Sequence, residues 1–321
     1  MLEKKFTVAG AGLVGSLFSL YLARKGHHVD VFERRKDMRA VKLGAGKSIN
    51  LSLSTRGWKA LAGVGIEEDV KKMGIPMHKR IMHALDGSLT HQPYGKDGEA
   101  IYSVSRGGLN ALLMDLAERE ENINFHFNEK CIDVDLNEAQ ATFENTLTKE
   151  VTEVKADHLV GADGVYSAVR NKMQRQDRFN FEKRYIEHGY KELVIPANAD
   201  GTHQLEVNAL HIWPRGRFML IALPNEDGSF TCTLFMPYEN DKYAFKKLDS
   251  KSGKYHGVDV DSTKLKVIEM IDKIPTDIWS RNNSSILDPC CGNGNFSIPI
   301  LFKLLEFHSK KYILENILQF N

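Results

Sequence analysis

Three glycines near the start of the chain have types and spacing that suit the pyrophosphate of a dinucleotide. Gly10, Gly12 and Gly15 form G-x-G-x-x-G, in which the glycines allow a tight turn, close approach to phosphates and close helix–strand contact. Glu33 follows Gly10 by 23 residues, where a carboxylate accepts hydrogen bonds from ribose hydroxyls. An acidic residue there favours an unphosphorylated ribose, as in FAD or NAD.

The elements around these glycines agree with that chemistry. Residues 6–9 predict a strand, residues from Leu13 an apolar helix that ends at Lys25-Gly26, and residues 28–33 a second strand. The alternatives are a glycine turn used only for packing and a signal peptide over residues 6–23. No small-residue cleavage site follows this segment, which argues against the signal peptide.

Two further segments suit a bound nucleotide. Asp163 and Gly164, in DHLVGADGVYSAVR, predict a turn between a short strand and a helix that starts at Val165. The alternative is an ordinary junction in which Asp163 caps the helix. Arg106 stands at the start of a helix rich in leucine, a poor place for a cation unless a pyrophosphate is bound nearby.

Composition excludes several function classes. With 43 basic and 42 acidic residues, the net charge of +1 gives no reason to expect nucleic acid or an anionic membrane as partner. The four cysteines form no CxxC pair, which predicts a reduced, cytoplasmic compartment and no metal site. No apolar run approaches the roughly 20 residues that span a bilayer.

Blocks between about Lys4 and Ser250 resemble the kynurenine 3-monooxygenase family of FAD-dependent aromatic hydroxylases. They include GKSINLSLSTRGWKAL, GIPMHKRIMHALDG, YSVSRGGLN, LVGADGVYSAVR and LHIWPRGRFMLIALPNEDGSFTCTLFMPY. The resemblance implies an α/β protein with a Rossmann-like FAD-binding domain and an antiparallel substrate sheet. It also implies FAD as cofactor, NADPH as co-substrate, and hydroxylation of L-kynurenine to 3-hydroxykynurenine with O₂.

The same resemblance implies the binding residues. Arg80 would pair with the substrate carboxylate, and Tyr94 would donate a phenolic hydrogen bond to the same carboxylate. Without the resemblance, the sequence pattern favours a surface position for Arg80 and a turn position for Tyr94. No side chain is assigned a catalytic role, because the flavin carries the chemistry. Together with the motifs, the resemblance places these residues against FAD: Gly10, Gly12, Val14, Gly15, Glu33, Arg34, Arg35, Ser52, Arg106, Cys131, Asp163 and Gly164.

The region from 210 to 238 predicts antiparallel strands around a hairpin loop at 225–228, with Trp213 and Met236 in the core. We therefore expect an FAD-binding domain over 1–180, a substrate-domain sheet over 181–250, and a separate tail over 251–321.

The tail contains ILDPCCGNGNF, which resembles motif I of S-adenosylmethionine-dependent DNA methyltransferases, with Asp288, Gly292 and Gly294 in the loop. The alternative is a plain glycine turn in a short αβα fragment. No Gly-Asp dipeptide occurs in the chain, so the third flavin motif of the hydroxylases is missing. We expect a truncated hydroxylase joined to a methyltransferase fragment; the alternatives are a non-catalytic flavin- or ADP-binding remnant and a methyltransferase subunit.

Overall fold

The structure is a computed structural model that describes residues 2–40, 50–96, 98–239 and 244–245. The predicted αβα fragment at 251–321, with Asp288, Gly292 and Gly294, lies outside the described residues. Within the described ranges, no helix is both long and apolar enough to cross a bilayer.

Sixteen strands and five α-helices are described. The helices are α1 (Leu13–Ala23), α2 (Thr55–Ala62), α3 (Glu67–Lys71), α4 (Arg106–Glu118) and α5 (Ala168–Met173). The strands are β1 (Lys5–Ala9), β2 (His28–Glu33), β3 (Asn50–Leu53), β4 (Gly74–Met77), β5 (Lys79–His83), β6 (Leu89–Pro93), β7 (Ile101–Ser105), β8 (Ile123–Phe127), β9 (Glu129–Asp135), β10 (Gln140–Asn145), β11 (Val151–Lys155), β12 (His158–Gly161), β13 (His188–Ile195), β14 (Ala209–Arg215), β15 (Phe218–Pro224) and β16 (Phe230–Pro237).

A four-stranded parallel sheet, in the order β12-β1-β2-β8, forms the first layer. Val8 and Val31 on its central strands are fully buried, as expected for strands covered on both faces. Residues 15–23 of α1 are all buried as well, so this helix is held by packing on nearly every side. The predicted strand–helix–strand unit over residues 6–33 is confirmed.

A six-stranded sheet, in the order β13-β16-β15-β14-β5-β6, forms the second large layer. The predicted antiparallel strands are confirmed as β14, β15 and β16. The hairpin loop between β15 and β16 contains Gly228 at φ +83°, the left-handed conformation predicted for it. Strands β5 and β6 join this sheet from the first 180 residues, with β5 parallel to β14. The three domain boundaries stay a prediction.

The two faces of this six-stranded sheet pack differently. One face carries Met236, which is 1% exposed, in a core against which Trp213 also packs, so both are core residues as predicted. The opposite face carries Leu210, Ile212, Ile221 and Leu223, which pack against Met77 of β4 and Ile101 of β7. Two three-stranded sheets, β3-β7-β4 and β11-β10-β9, complete the fold.

The end of β5 is held to β14 by side chains. His211 Nε2 donates to the Glu206 carbonyl at 2.8 Å, so its Nδ1 accepts from His83 Nε2 at 2.9 Å. The His83 ring stacks on Trp213 with centroids 4.1 Å apart, and Arg215 donates to the His83 carbonyl at 2.8 Å. Burial lowers the pKa of His83 to about 4, so the pair is neutral near pH 7.

Candidate functional site

The glycine loop lies at the carboxyl end of β1, where the chain passes close to β2 and β12. Gly10 has φ +105°, and its N–H donates to the Phe32 carbonyl at 2.7 Å. A Cβ at Gly10 would lie 2.4 Å from the Ala162 carbonyl oxygen, and one at Gly15 would lie 1.9 Å from the Gly10 carbonyl oxygen. Both positions therefore require glycine for packing of the loop itself.

Gly12 differs from its two neighbours in the motif. It stands at the N-cap of α1, and no side chain caps the helix there. A Cβ built on Gly12 would meet no atom within 4 Å, so the space beside it is open. The first N–H groups of a helix attract an anion through their unpaired hydrogens and the helix dipole. Val14 is half-buried in this first turn. The loop and helix end fit a pyrophosphate.

Glu33, at the end of β2, lies beneath this loop. Its carboxylate is mostly buried, and Oε2 accepts from the Ala11 N–H at 3.1 Å. Its Oε1 accepts from the backbone N–H and the Nε of Arg35, at 3.1 Å and 2.9 Å. Arg34 is exposed beside it. An ionised carboxylate has lone pairs beyond these bonds, so Glu33 can still accept a ribose hydroxyl.

Helix α4 is tied to the glycine loop one turn after its start. Arg106 is the first residue of α4 and is exposed; its contact with a pyrophosphate stays a prediction. The Nδ2 of Asn110, which is mostly buried, donates to the Ala11 carbonyl at 3.1 Å. This bond places the start of α4 close to the loop.

A second tie joins α4 to the segment that follows β2. Arg39 binds Asp37 through Nε and Nη2, at 2.9 Å and 2.7 Å. Its Nη1 reaches Asp115 at 2.9 Å and Glu118 at 2.7 Å. The Arg39 guanidinium holds the pKa of Asp37 below its usual range. One arginine thus gathers three carboxylates, which fixes the chain beyond Glu33.

The Asp163-Gly164 turn lies against the glycine loop through Ala162. Asp163 Oδ2 accepts from the Ala168 N–H at 2.6 Å, and its Oδ1 accepts from Ser167 Oγ at 2.5 Å. The following helix starts at Ala168, not at Val165 as predicted. Gly164 has φ +78°, residues 165–166 form a turn after it, and Ser167 is the N-cap, because its Oγ accepts from the Arg170 N–H at 2.9 Å. Asp163 therefore caps the helix while it faces the loop.

Cys131, on β9, is half-buried close to this turn. Burial, together with the nearby charges of Asp163 and Asp133, raises the pKa of its thiol to about 12. The thiol is therefore neutral at physiological pH and is suited to packing beside a cofactor, not to nucleophilic chemistry. Ser52 lies on β3, half-buried and opposite Ser103 of β7.

The predicted substrate residues come together on the six-stranded sheet. Arg80 lies on β5 opposite Leu210 of β14, and Tyr94 directly follows β6. The guanidinium carbon of Arg80 is 4.6 Å from the centroid of the Tyr94 ring. The Tyr94 N–H donates to the His78 carbonyl at 3.0 Å. A guanidinium held against a ring loses part of its freedom, and its fork of donors can bind a carboxylate bidentately.

Arg80 lies on the sheet face whose apolar residues pack against Met77 and Ile101. Its register partner Leu210 belongs to the cluster with Ile212 and Ile221, and Tyr94 packs against that cluster. A cation beside apolar side chains suits a ligand with a carboxylate and a hydrophobic ring.

Several residues that hold this arrangement gave no signal in the sequence. Asn110, Arg39 and the His83–His211 pair belong to no motif and have no diagnostic spacing. Asn110 follows Arg106 by one helical turn, which is the one feature that could have pointed to it.

The sequence model of a family described as "FAD binding domain" matches residues 3–269. The chain belongs to this FAD-binding family. The open space at Gly12, the uncapped start of α1 and the buried Glu33 carboxylate all fit the adenosine diphosphate part of FAD.

Several curated proteins similar to this chain are kynurenine 3-monooxygenases. The chain is 50% identical over 239 residues to the kynurenine 3-monooxygenase of Christiangramia forsetii. The matched region covers 74% of this chain and 53% of the relative. It is 50% identical over 247 residues to that of Flavobacterium johnsoniae (77% and 54%), and 47% identical over 232 residues to that of Anopheles gambiae (72% and 48%). The chain spans about half the length of the curated relatives it matches.

Solved structures support the fold. The tetrameric form of 2-methyl-3-hydroxypyridine-5-carboxylic acid oxygenase aligns with a TM-score of 0.63 at 19% identity, over 85% of this chain and 66% of that one. The p-nitrophenol 4-monooxygenase of Pseudomonas putida aligns with a TM-score of 0.61 at 15% identity, over 78% and 62%. At these identities the likeness concerns the fold alone.

Proposed function

We propose that this protein is an FAD-dependent monooxygenase that hydroxylates L-kynurenine to 3-hydroxykynurenine with NADPH and O₂. The observation that carries the proposal is the contact between Arg80 and Tyr94, whose guanidinium carbon and ring centroid are 4.6 Å apart, on the sheet face that packs against Met77 and Ile101. Identity of about 50% to several kynurenine 3-monooxygenases supports the same substrate. Kynurenine carries an α-carboxylate and an aryl ring, which match the cation and its apolar surroundings.

In this proposal the residues of the chain bind and orient, and bound FAD supplies the redox and oxygen-transfer chemistry. The N–H groups at the start of α1 and Arg106 hold the pyrophosphate, and Glu33 accepts the ribose hydroxyls. Arg80 and Tyr94 hold the substrate carboxylate, so that the aryl ring lies over the apolar face of the sheet and water is kept from it. The rest of FAD is contacted by the remaining predicted cofactor residues: Val14, Arg34, Arg35, Ser52, Cys131 and the Asp163-Gly164 turn.

We propose a cytoplasmic location and small molecules as the partners of residues 1–250. The two cysteines of the described residues, Cys131 and Cys232, are free thiols, which supports a reducing compartment. The division into 1–180, 181–250 and 251–321 belongs to the same proposal.

The test uses the purified chain, because it spans about half of its relatives. Flavin absorbance should appear after incubation with FAD, and kynurenine should change that spectrum and stimulate oxidation of NADPH. Mass spectrometry should then detect 3-hydroxykynurenine. 2-Aminoacetophenone, which keeps the aminophenyl ketone of kynurenine and lacks its carboxylate, is the control ligand.

Three outcomes separate the possibilities. FAD binding with a kynurenine-dependent spectrum supports the proposal, and product formation shows that this chain suffices for turnover. FAD binding without any response to kynurenine would leave a flavin-binding remnant. A protein that binds no FAD refutes the proposal; S-adenosylmethionine binding that is lost in Asp288→Ala would then support a methyltransferase fragment.

A further inference from the structure

Three polar side chains join the cofactor-side strand β3 to the hairpin of the six-stranded sheet. Asn50 Nδ2 donates to Asn225 Oδ1 at 2.6 Å and to Ser103 Oγ at 2.9 Å. Ser103 Oγ in turn donates to the Pro224 carbonyl at 2.8 Å. We call Asn50, Ser103 and Asn225 the hairpin junction. Asn50 is 175 residues from Asn225 and 53 residues from Ser103 in the chain, so the bonds exist only in the folded protein.

Inside the hairpin, Asn225 is held on its other side as well. Its Nδ2 donates to Ser229 Oγ at 2.8 Å, and that hydroxyl donates to Asp227 Oδ1 at 2.5 Å. The Asn225 carbonyl accepts from His203 Nε2 at 2.7 Å. One series of bonds therefore runs from Asn50 through Asn225 and Ser229 to the Asp227 carboxylate. A fully satisfied polar network is rigid and favours a single arrangement of its members, so these bonds hold the hairpin and β3 in one relative position.

The junction lies between the two halves of the proposed site. Asn50 precedes Ser52 by two positions on β3, so both side chains lie on the same face, and Ser103 is the register partner of Ser52. At the other end, Pro224 closes β15, which carries Ile221 and Leu223 on the face shared with Arg80. A short polar path therefore connects a strand expected to contact FAD with the sheet expected to contact the substrate.

We propose that Asn225 is a positioning residue that couples the substrate sheet to the flavin. Through Asn50 it sets the position of β3, and with it Ser52, relative to the sheet that carries Arg80. Substrate bound on the sheet then changes the affinity of the protein for FAD, and by thermodynamic linkage FAD changes the affinity for substrate by the same factor. This inference rests on the proposed function. The first arm of its experiment uses no ligand and does not depend on that function.

The first arm measures hydrogen–deuterium exchange of the β3 and β7 amides without any ligand. In Asn225→Leu, exchange in β3 should be about tenfold faster, because a typical net hydrogen bond is lost from each side of the junction. Asp227→Asn is the matched control, since it changes the same hairpin and leaves the bonds to Asn50 and Ser103 in place. Asn50→Leu should reproduce the effect, and the double variant Asn50→Leu/Asn225→Leu should add little to it.

The second arm measures FAD binding with and without saturating kynurenine. In the parent chain the two dissociation constants should differ by about fivefold or more, the lower end of typical coupling between sites. In Asn225→Leu the ratio should fall close to one, while affinity for FAD alone stays within about threefold. A residue that only supports the fold would weaken FAD binding and leave the ratio intact.

The outcomes are separable. The claim that the hairpin junction positions β3 is refuted if β3 exchange is unchanged in Asn225→Leu, or if it is accelerated equally in Asp227→Asn. This holds whether or not the ligands bind. A ratio near one in a parent chain that binds both ligands, or a ratio that survives in Asn225→Leu, overturns the coupling. A parent chain that binds neither ligand refutes the proposed function, and the exchange arm still decides whether Asn225 positions β3.

Discussion

Replacement of Gly12 by alanine should separate cofactor binding from folding. Gly12 has φ −74° and ψ −177°, a conformation that alanine adopts freely. A Cβ there would meet no protein atom within 4 Å. The fold should therefore tolerate Gly12→Ala, while the methyl group occupies the space in which a pyrophosphate would approach α1.

The expected magnitudes follow from this geometry. Exchange of glycine for alanine at an N-cap costs about 0.5–1 kcal/mol of stability. Loss of one hydrogen bond to a charged phosphate costs about 1.5–3 kcal/mol, which weakens FAD binding roughly 10- to 100-fold. The change in affinity should thus exceed the change in stability.

Fluorescence titration with FAD and urea unfolding of the apoprotein measure the two quantities. Gly15→Ala is the contrasting variant, because its Cβ would lie 1.9 Å from the Gly10 carbonyl oxygen; it should lose about 3 kcal/mol or fail to fold. Affinity for FAD that is unchanged in Gly12→Ala would refute the placement of the pyrophosphate. Unfolding of that variant would refute the claim that the space is open.

Three other substitutions test the surroundings of the site. Arg80→Lys should weaken kynurenine binding about tenfold in calorimetry without changing FAD affinity, because lysine lacks the bidentate fork; equal binding would contradict the assignment. The pKa of His83 is about 4 in the fold and near 6.5 when unfolded, so stability is full above pH 6.5 and falls as pH drops from 6.5 to 4. In His83→Phe the urea midpoint should fall less between pH 6.5 and pH 4 than it does in the parent protein. A pH profile parallel to that of the parent would contradict this assignment. Arg39→Met should cost about 1–3 kcal/mol in unfolding at low salt and less at 1 M salt, because the remaining carboxylates repel each other; a salt-independent cost would indicate lost packing instead. Those carboxylates belong to Asp37, Asp115 and Glu118.

The parts of the fold that were predictable depend on local signals. The β1–α1–β2 unit follows from glycine spacing and apolar periodicity within about 30 residues. The hairpin of β15 and β16 follows from a short polar loop with a glycine between two apolar runs. In both cases the residues that determine the structure are close in sequence, so the pattern was sufficient.

The parts that were not predictable depend on distant contacts. Nothing in LDGSLTHQP indicates that β5 and β6 join a sheet built mainly after residue 188, because pairing with β14 is set by tertiary packing. The start of α5 at Ala168 depends on two caps that bond different N–H groups: Asp163 accepts from Ala168, and Ser167 accepts from Arg170. The pairing of Arg80 with Tyr94 came from family resemblance, since a single arginine and tyrosine carry no signal of their own.

The parallel pairing of β5 with β14 also has a consequence during synthesis of the protein. The contact between His83 and Arg215 joins residues 132 positions apart, which a ribosome adds in roughly 7–26 s at about 5–20 residues per second. For that interval the β5–β6 hairpin has no neighbouring strand, and two-stranded hairpins are only marginally stable in water. The nascent chain thus carries Ile81 and Met82 unprotected until β14 emerges. In that period a chaperone, or a run of slowly translated codons downstream of β6, would affect the yield of folded protein without altering its final structure.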